Sequence, residues 1–546
     1  VRPRSTSRRG RERPVPLFGQ RSNGVAVRVM EGIDPMYPYT FNEVNDEYEI
    51  VVVGAGPAGL SVASQLSSEH RVLVIDSRPE MPRGDARLVA HTATGNDPDS
   101  PSHRRVTRSW FSPHDCLYDN PDLLKCRKPH GVTRFLARTY SGPTGNRPEE
   151  YDLCWEAKQF PHVPLQDRYP YLDEYKLIAH WEQQILESKN RSRIMSGHYY
   201  QDHRAEPYHV DVRFLVGDSH DYESRVFRAR LLLDASGHDS DIRKAYGNGP
   251  GHVYWWSVFG AICRHPEGEI VAQPTPGHPL VMGDYMLWQT FASSNVAPQT
   301  PVREGRPIFE YEILDERTSF PLILYLRPYK IGLDRAKAEF LQILRKEPGC
   351  SAFRNAEIEE FKYGHYPSGR KFQSYAEDRV DFIGDAGLWT TPCGWGASFI
   401  LKNYAPYARR LSHLMKTDQL DRASLRGLAG RHTKEAEFFM NTAVTRFLSY
   451  GTVEQLDQFI AVFRDIDPLV CERIFTLRAE PDDLIMFLRA ARKRVGLLSL
   501  LRQMPVAERS YMLADAAQAA VQFGKERLMK RAGREPERGF GVFTQR

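Results

Sequence analysis

The sequence predicts an α/β protein: a nucleotide-binding parallel sheet, a second β-sheet inserted into it, and a helical C-terminal region. Three observations predict this. A glycine-rich turn follows a β-branched run at residues 50–53. Two further apolar runs, far along the chain, also end in aspartate. After Gly396 glycine and proline become scarce and helical patterning takes over.

The first element is the stretch "YEIVVVGAGPAGLSVASQLSSEHRVLVIDSRPE". Ile50 to Val53 read as a buried strand, Leu60, Ala63 and Leu66 share one helix face, and "RVLVID" returns as a second strand. Between them, Gly54 permits a tight turn, Gly56 lets the backbone approach a pyrophosphate, and Gly59 allows close helix–strand packing. Asp76, ending the second strand, is the expected acceptor for ribose hydroxyls.

Residues 83–170 are rich in Pro, Arg and Asp and predict long loops with short elements. A helix follows, with Leu177, Trp181 and Ile185 at helical spacing. Residues 208–234 predict antiparallel strands that close on "LLLDASG", Leu231 to Gly237. Alternating aromatic and aliphatic runs between Tyr254 and Leu326 predict the second sheet, interrupted by the helix "DRAKAEFLQILRKE".

"LLLDASG" and "VDFIGDAG", Val380 to Gly387, each admit two readings. Either could be a plain strand end with Asp as a turn residue. Taken together, and in this order, they resemble the second and third stations of flavoproteins of the glutathione-reductase type. On that reading Asp234 and Gly237 bring a second loop beside the nucleotide, and Asp385 contacts the pyrophosphate or ribityl chain of FAD. Pro392, Gly394 and Gly396 then let the backbone lie against the isoalloxazine edge. The helix starting near Gly396 turns its positive end toward the region that gains negative charge on reduction. The expected organisation is a basic arm over 1–46, an FAD-binding domain over 47–250 and 375–415, a β-rich substrate domain over 251–374, and a helical region over 416–546.

Composition sets the outer bounds. The 546 residues are 41% hydrophobic and 26% charged, values of a globular chain, and a net charge of +5 is too small at this size to argue for nucleic acid. Eight arginines and only Glu12 and Glu31 as acids fall in residues 1–31. That composition fits an organelle transit remnant or a solvated basic arm equally well. Seven scattered cysteines without a C-x-x-C pair argue against a zinc ribbon, a dithiol redox site or a disulfide framework. No apolar run is long enough to span a bilayer, so membrane contact would be peripheral; "IMFLRAARKRVGLLSLLRQM" has the basic amphipathic pattern for it.

Several of these stretches carry a family resemblance. "VVVGAGPAGLSVASQLS" resembles the opening of a plant-type lycopene cyclase, and "ILDERTS", Ile313 to Ser319, is similar to the cyclase motif Phe-Leu-Glu-Glu-Thr-Ser. "SVFGAICRHPEGE" with "LVMGDYMLWQ", and the tail from "FLSYGTVEQ" to "LIMFLR", are similar to cyclase segments as well. The resemblance is scattered over residues 47–495. It implies an FAD protein acting on a carotenoid at a plastid membrane, or at the cytoplasmic face of a bacterial one, alone or in a carotenoid-enzyme or photosynthetic complex, with NADPH as external reductant. It also implies acid-initiated cyclisation, with Glu316 and Asp315 as the acid pair and Asp284 as a further candidate.

The chain departs from that pattern at Arg317, which stands in for the second Glu when the motif is aligned from Thr318. Aligned from Leu314, Asp315 and Glu316 match the pair. The cyclase's Pro-Ser-Thr-Gly-Tyr beside the flavin is here Thr391 to Trp395. Aromatic-ring hydroxylases resemble the same region, but usually place a His after Gly-Asp-Ala-Ala, where this chain has Gly387-Leu388-Trp389. A flavin monooxygenase or halogenase of the same fold, and an inactive cyclase-like subunit of a membrane complex, therefore stand beside the cyclase reading.

Overall fold

The computed structural model describes residues 46–78, 121–138, 153–156, 170–218, 221–247, 253–266, 284–289, 307–369, 376–387, 396–429, 450–475, 481–494 and 502–533, apart from scattered single positions. The chain opens with β1 (Asp46–Val53), α1 (Pro57–Leu66) and β2 (Val72–Ile75). Next come β3 (Arg127–Gly131), β4 (Arg134–Arg138), β5 (Leu153–Glu156), β6 (Pro170–Leu172), α2 (Glu174–Leu186) and β7 (Arg193–Met195). A meander of β8 (His198–Ala205), β9 (Val210–Asp218) and β10 (Asp221–Asp234) leads into the short α3 (Asp241–Ala245).

β1, β2 and β7 to β10, with β16 (Ala376–Glu377) and β17 (Val380–Phe382) from much later in the chain, form an eight-stranded sheet. Its main path is β16-β17-β10-β1-β2-β7, in which β7, β2, β1, β10 and β17 run parallel. The continuous apolar runs explain the arrangement, because a parallel sheet is covered on both faces. Ile50, Val52, Val72, Val74, Leu231 and Leu233 point into one core with α1, α2 and the later helix α5. Val51, Val53, Leu73, Ile75 and Leu232 point into a second core with the meander and Ile242 of α3. Leu177, Trp181 and Ile185 all enter the first core, as their spacing predicts.

The second sheet is built from β11 (Val253–Arg264), β12 (Asp284–Gln289), β13 (Ile308–Ile313), β14 (Thr318–Arg327) and β15 (Glu357–Gly369), with α4 (Leu333–Lys346) packed on one face. Its order is β15-β11-β14-β13-β12-β4-β5. β4 and β5 lie within the span assigned by sequence to the nucleotide domain, yet they extend the second sheet through the parallel β12–β4 pairing. On either side of them in sequence, β3 and β6 pair with each other as a separate two-stranded sheet, and Leu123, Cys126 and Leu172 pack into the first sheet's core.

β16 (Ala376–Glu377) and β17 (Val380–Phe382) return to the first sheet, and the chain then becomes helical. α5 (Gly396–Thr417) covers α1, and α6 (Arg422–Ala429), α7 (Val453–Arg464), α8 (Pro468–Phe475), α9 (Pro481–Arg494) and α10 (Val506–Arg531) follow. Phe487 of α9 packs on Phe459 and Phe463 of α7, and among the described side chains of α9 the buried ones are Asp483, Phe487 and Ala491, one stripe of the helix.

Candidate cofactor-binding site

The C-terminal ends of three parallel strands sit side by side. Val53 pairs with Asp234, and Asp234 with Phe382, so the glycine turn after β1, the bend after β10 and the bend after β17 leave one edge of one sheet. Ligands bind at this edge of open α/β sheets, where the strand order reverses; here β1 is flanked by β2 on one side and β10 on the other.

The first bend is held tightly. Gly54 has φ +107°, and a Cβ there would lie 2.3 Å from the Ala235 carbonyl oxygen; a Cβ on Gly59 would lie 2.0 Å from the Gly54 oxygen. Glycine is thus required at Gly54 by the second bend and at Gly59 by the carbonyl of the first bend itself. Gly56 has another role. It is the N-cap of α1 with an ordinary extended backbone, no side chain caps the helix, and no acid sits in its first turn. The leading amides, which have no intrahelical acceptor, remain for an anion.

Asp76, at the end of β2, accepts from the Ala55 amide at 2.7 Å and from the Arg78 amide and guanidinium. Burial pushes its carboxyl upward, but Arg78 and these amides outweigh burial and hold it below its ordinary range. It is a fixed anion beside the first bend, suited to accept from a ribose hydroxyl.

Asp234 behaves differently. Its carboxylate is fully buried and accepts from the Ser236 amide and hydroxyl and from the Ser240 hydroxyl. It shapes the second bend from beneath, as a turn residue does. Beyond it, Gly237 has φ +94° with nothing within 4 Å of a Cβ built there, so the second bend faces open space.

The third bend packs directly on the first helix: a Cβ on Gly384, at φ +60°, would lie 2.6 Å from the Ala58 Cβ. Arg243 of α3 joins it to the second bend. This guanidinium is 1% exposed and donates to the carbonyls of Ala386 at 2.7 Å, Asp385 at 3.4 Å and His238 at 2.7 Å. Sequence patterns missed Arg243, because only the fold brings a lone Arg on a five-residue helix to carbonyls some 140 positions away. Trp389, near the position where hydroxylases usually place His, is fully buried behind the bend, edge-on to Tyr407 at 4.8 Å. Gly396 opens α5, while Pro392, Cys393, Gly394 and Trp395 lie outside the described residues.

The expected acids do not join this site. Asp315 and Glu316 are exposed in the hairpin turn between β13 and β14, where Asp315 accepts from the amides of Arg317 and Thr318. The opposite end of β14 is the one that meets the second bend, through Lys330, which contacts Asp239 and His238 at 2.9 Å each. A strand of 10 residues spans about 30 Å. Asp284, opposite the Ile313 end of β13, starts β12 at the same remote end. The motif reading failed because "LDER" is turn chemistry: an Asx carboxylate closing a hairpin. Two carboxylates that patterning overlooked, Glu310 and Glu312, are buried on one face of β13 instead.

A family model described as an NAD(P)-binding Rossmann-like domain matches residues 52–117. No curated protein matches the chain by sequence. Solved structures do resemble it. A geranylgeranyl bacteriochlorophyll reductase-like protein from Thermoplasma acidophilum is 14% identical, covering 83% of this chain and 97% of its own, with a TM-score of 0.58. Halogenase PltM in complex with phloroglucinol and FAD is 12% identical, covering 87% and 96%, at 0.52. The p-nitrophenol 4-monooxygenase PnpA from Pseudomonas putida is 13% identical, covering 79% and 98%, at 0.50. The fold is the one these solved structures share. At these identities the likeness is one of architecture, shared among a reductase-like protein, a halogenase and a monooxygenase, and substrate and reaction must be argued from the chain's own residues.

Proposed function

We propose that this chain is an FAD-dependent enzyme acting on an extended hydrophobic molecule of the isoprenoid or carotenoid class. The observation that carries the cofactor half is the adjacency of Val53, Asp234 and Phe382, which places all three bends on one sheet edge. The amides at the start of α1 and Gly56 would hold the pyrophosphate, Asp76 a ribose, and the Gly384–Asp385 bend the chain leading toward the ring. The N-terminus of α5 follows that bend in sequence. When bound, FAD supplies electron-pair transfer, or in its reduced form a negative charge able to stabilise a cationic centre.

The substrate half rests on two agreeing hints: the cyclase-like segments of the sequence, and a structural neighbour whose name refers to a geranylgeranyl reductase. Glu310 and Glu312, buried on one face of β13 level with Leu322 and Phe320 of β14, are further candidate acids for acid-initiated chemistry, Glu310 the nearer to the Lys330 end of the sheet. NADPH is the external reductant this reading requires. Delivery of such a substrate calls for a membrane, in a plastid or at the cytoplasmic face of a bacterium. α9 offers a peripheral contact: Met486 and Leu488 are exposed beside the exposed Arg489, Arg492 and Lys493. No helix among the described residues is long and apolar enough to cross a membrane.

A second reading, an FAD- and NADPH-dependent monooxygenase or halogenase, is favoured by the architecture shared with PltM and PnpA. Turnover separates the two. With FAD, a reductant and a carotenoid under anaerobic conditions, the first reading expects product; consumption of oxygen in step with substrate, and no anaerobic product, would replace it with the second.

A further inference from the structure

The second bend is gripped from the second sheet as well as from α3. Lys330, just past β14, places its ammonium 2.9 Å from Asp239 Oδ2, 2.9 Å from His238 Nε2 and 4.3 Å above the ring of Trp255 on β11. The His238 ring stands edge-on to the same indole at 4.8 Å. Lys330 thus reaches from the second sheet to the residues immediately after Gly237, where the bend faces open space.

Lys330 is aimed by a closed ring of hydrogen bonds around its neighbour Ile331. The Ile331 amide donates to Ser257 Oγ at 3.0 Å, and the Tyr363 hydroxyl donates to the Ile331 carbonyl at 2.5 Å. Between Ser257 and Tyr363 stands His365, with Nδ1 2.9 Å from the Ser257 hydroxyl and Nε2 2.7 Å from the Tyr363 oxygen. For a neutral imidazole only one tautomer satisfies all four bonds. Tyr363 already donates to the carbonyl, so Nε2 carries the ring proton and Nδ1 accepts from Ser257. The imidazole is neutral, consistent with burial holding His365 down to about 4. Ser257 and His365 are paired in register across β11 and β15, so the ring ties two strands to the turn that carries Lys330.

We infer that Lys330 is a positioning residue for the cofactor-binding edge, docking the second sheet onto the His238–Asp239 bend, and that the Ser257–His365–Tyr363 ring aims it. Stability alone does not account for the arrangement. Asp239 is two-thirds exposed, and a solvated ion pair of this kind adds little to stability. Its effect is geometric: it sets where the bend sits relative to the sheet that would carry the substrate. The ligand half of this inference rests on the proposed FAD site; the geometric half does not.

The test uses the full chain with Lys330→Met, Asp239→Asn, their combination, Lys330→Arg and Ser257→Ala. Amide hydrogen exchange is followed without ligand, and FAD is titrated separately. Exchange across residues 235–240 should rise about fivefold in Lys330→Met, and less in Asp239→Asn, which leaves the His238 and Trp255 contacts of Lys330 in place. In the double variant it should rise no further than in Lys330→Met, because the ion pair is common to both. Ser257→Ala should reproduce the effect with Lys330 intact. Lys330→Arg should restore both the protected bend and the FAD affinity, which Lys330→Met lowers about tenfold. A bend that exchanges as in wild type in Lys330→Met, or additive effects in the double variant, overturns the inference. A wild-type protein that binds no FAD while the exchange pattern holds overturns the functional reading and leaves the positioning role standing.

Discussion

The buried guanidinium of Arg243 donates to the carbonyl oxygen of Ala386 at 2.7 Å, joining two bends that lie far apart in sequence. The same group holds the His238 carbonyl, so one side chain on a five-residue helix spaces the second bend from the third. Arg243→Met keeps the volume and removes the donors. Each buried carbonyl left without a donor costs about 1–3 kcal/mol, so the variant should lose at least about 2 kcal/mol in urea unfolding. FAD affinity should fall with it. Arg243→Lys, with one compact donor group in place of a fork, should recover only part of the loss.

Glycines of the first and second bends should separate by what each one's missing side chain allows. Gly54→Ala drives a Cβ to 2.3 Å from the Ala235 carbonyl in a backbone region L-residues avoid, and should fail to fold. Gly56→Val meets no conformational penalty, since φ is −78° and ψ 176°. It should fold with a wild-type circular dichroism spectrum and lose FAD. Gly237→Ala, with positive φ but open space, should fold with a penalty of about 1–3 kcal/mol. Far-ultraviolet spectra with flavin titration sort the variants.

Asp381 on β17 gives the stability a distinctive pH dependence. It is fully buried, and burial raises its carboxyl from 3.8 to about 7, although the Tyr407 hydroxyl at 2.6 Å and the Phe382 amide pull the other way. A carboxyl whose folded value is raised contributes stability that is full below its unfolded value and lost as pH rises through the folded one. Its contribution should therefore fall between about pH 4 and 7 and stay flat above. Asp381→Asn should remove that slope, leaving the variant relatively more stable at pH 8 than at pH 4. Urea midpoints at the two values decide it.

Glu316→Gln should change neither stability nor flavin binding, because the side chain is exposed in a turn at the remote end of β14. Surface changes of this kind lie within about 0.5 kcal/mol. Glu310→Gln, on a buried side chain nearer the Lys330 end of the sheet, should instead abolish acid-initiated turnover while FAD stays bound. Product analysis of both variants checks the pair.

The parts of this fold that local chemistry dictates were legible in the sequence. A strand buried on both faces must read as a continuous apolar run, and a dinucleotide turn must carry glycines at set offsets, so β1, α1, β2 and the ends of β10 and β17 could be placed. Asp234 could be placed at a strand end by either reading of its pattern, and only the fold shows the carboxylate turned inward onto Ser236 and Ser240. Arg243, Lys330 and His365 gave no local signal. Each acts through backbone carbonyls or across two sheets, and such partners have no fixed spacing. The acid motif misled because a hairpin's Asx turn and a catalytic pair use the same letters.

The most direct measurement is a calorimetric titration of the purified chain with FAD, alongside Gly56→Val. The account predicts saturable one-to-one binding by wild type, with flavin absorbance retained after gel filtration, and none by the folded variant. A folded wild-type chain that leaves FAD entirely in the free fraction would contradict it.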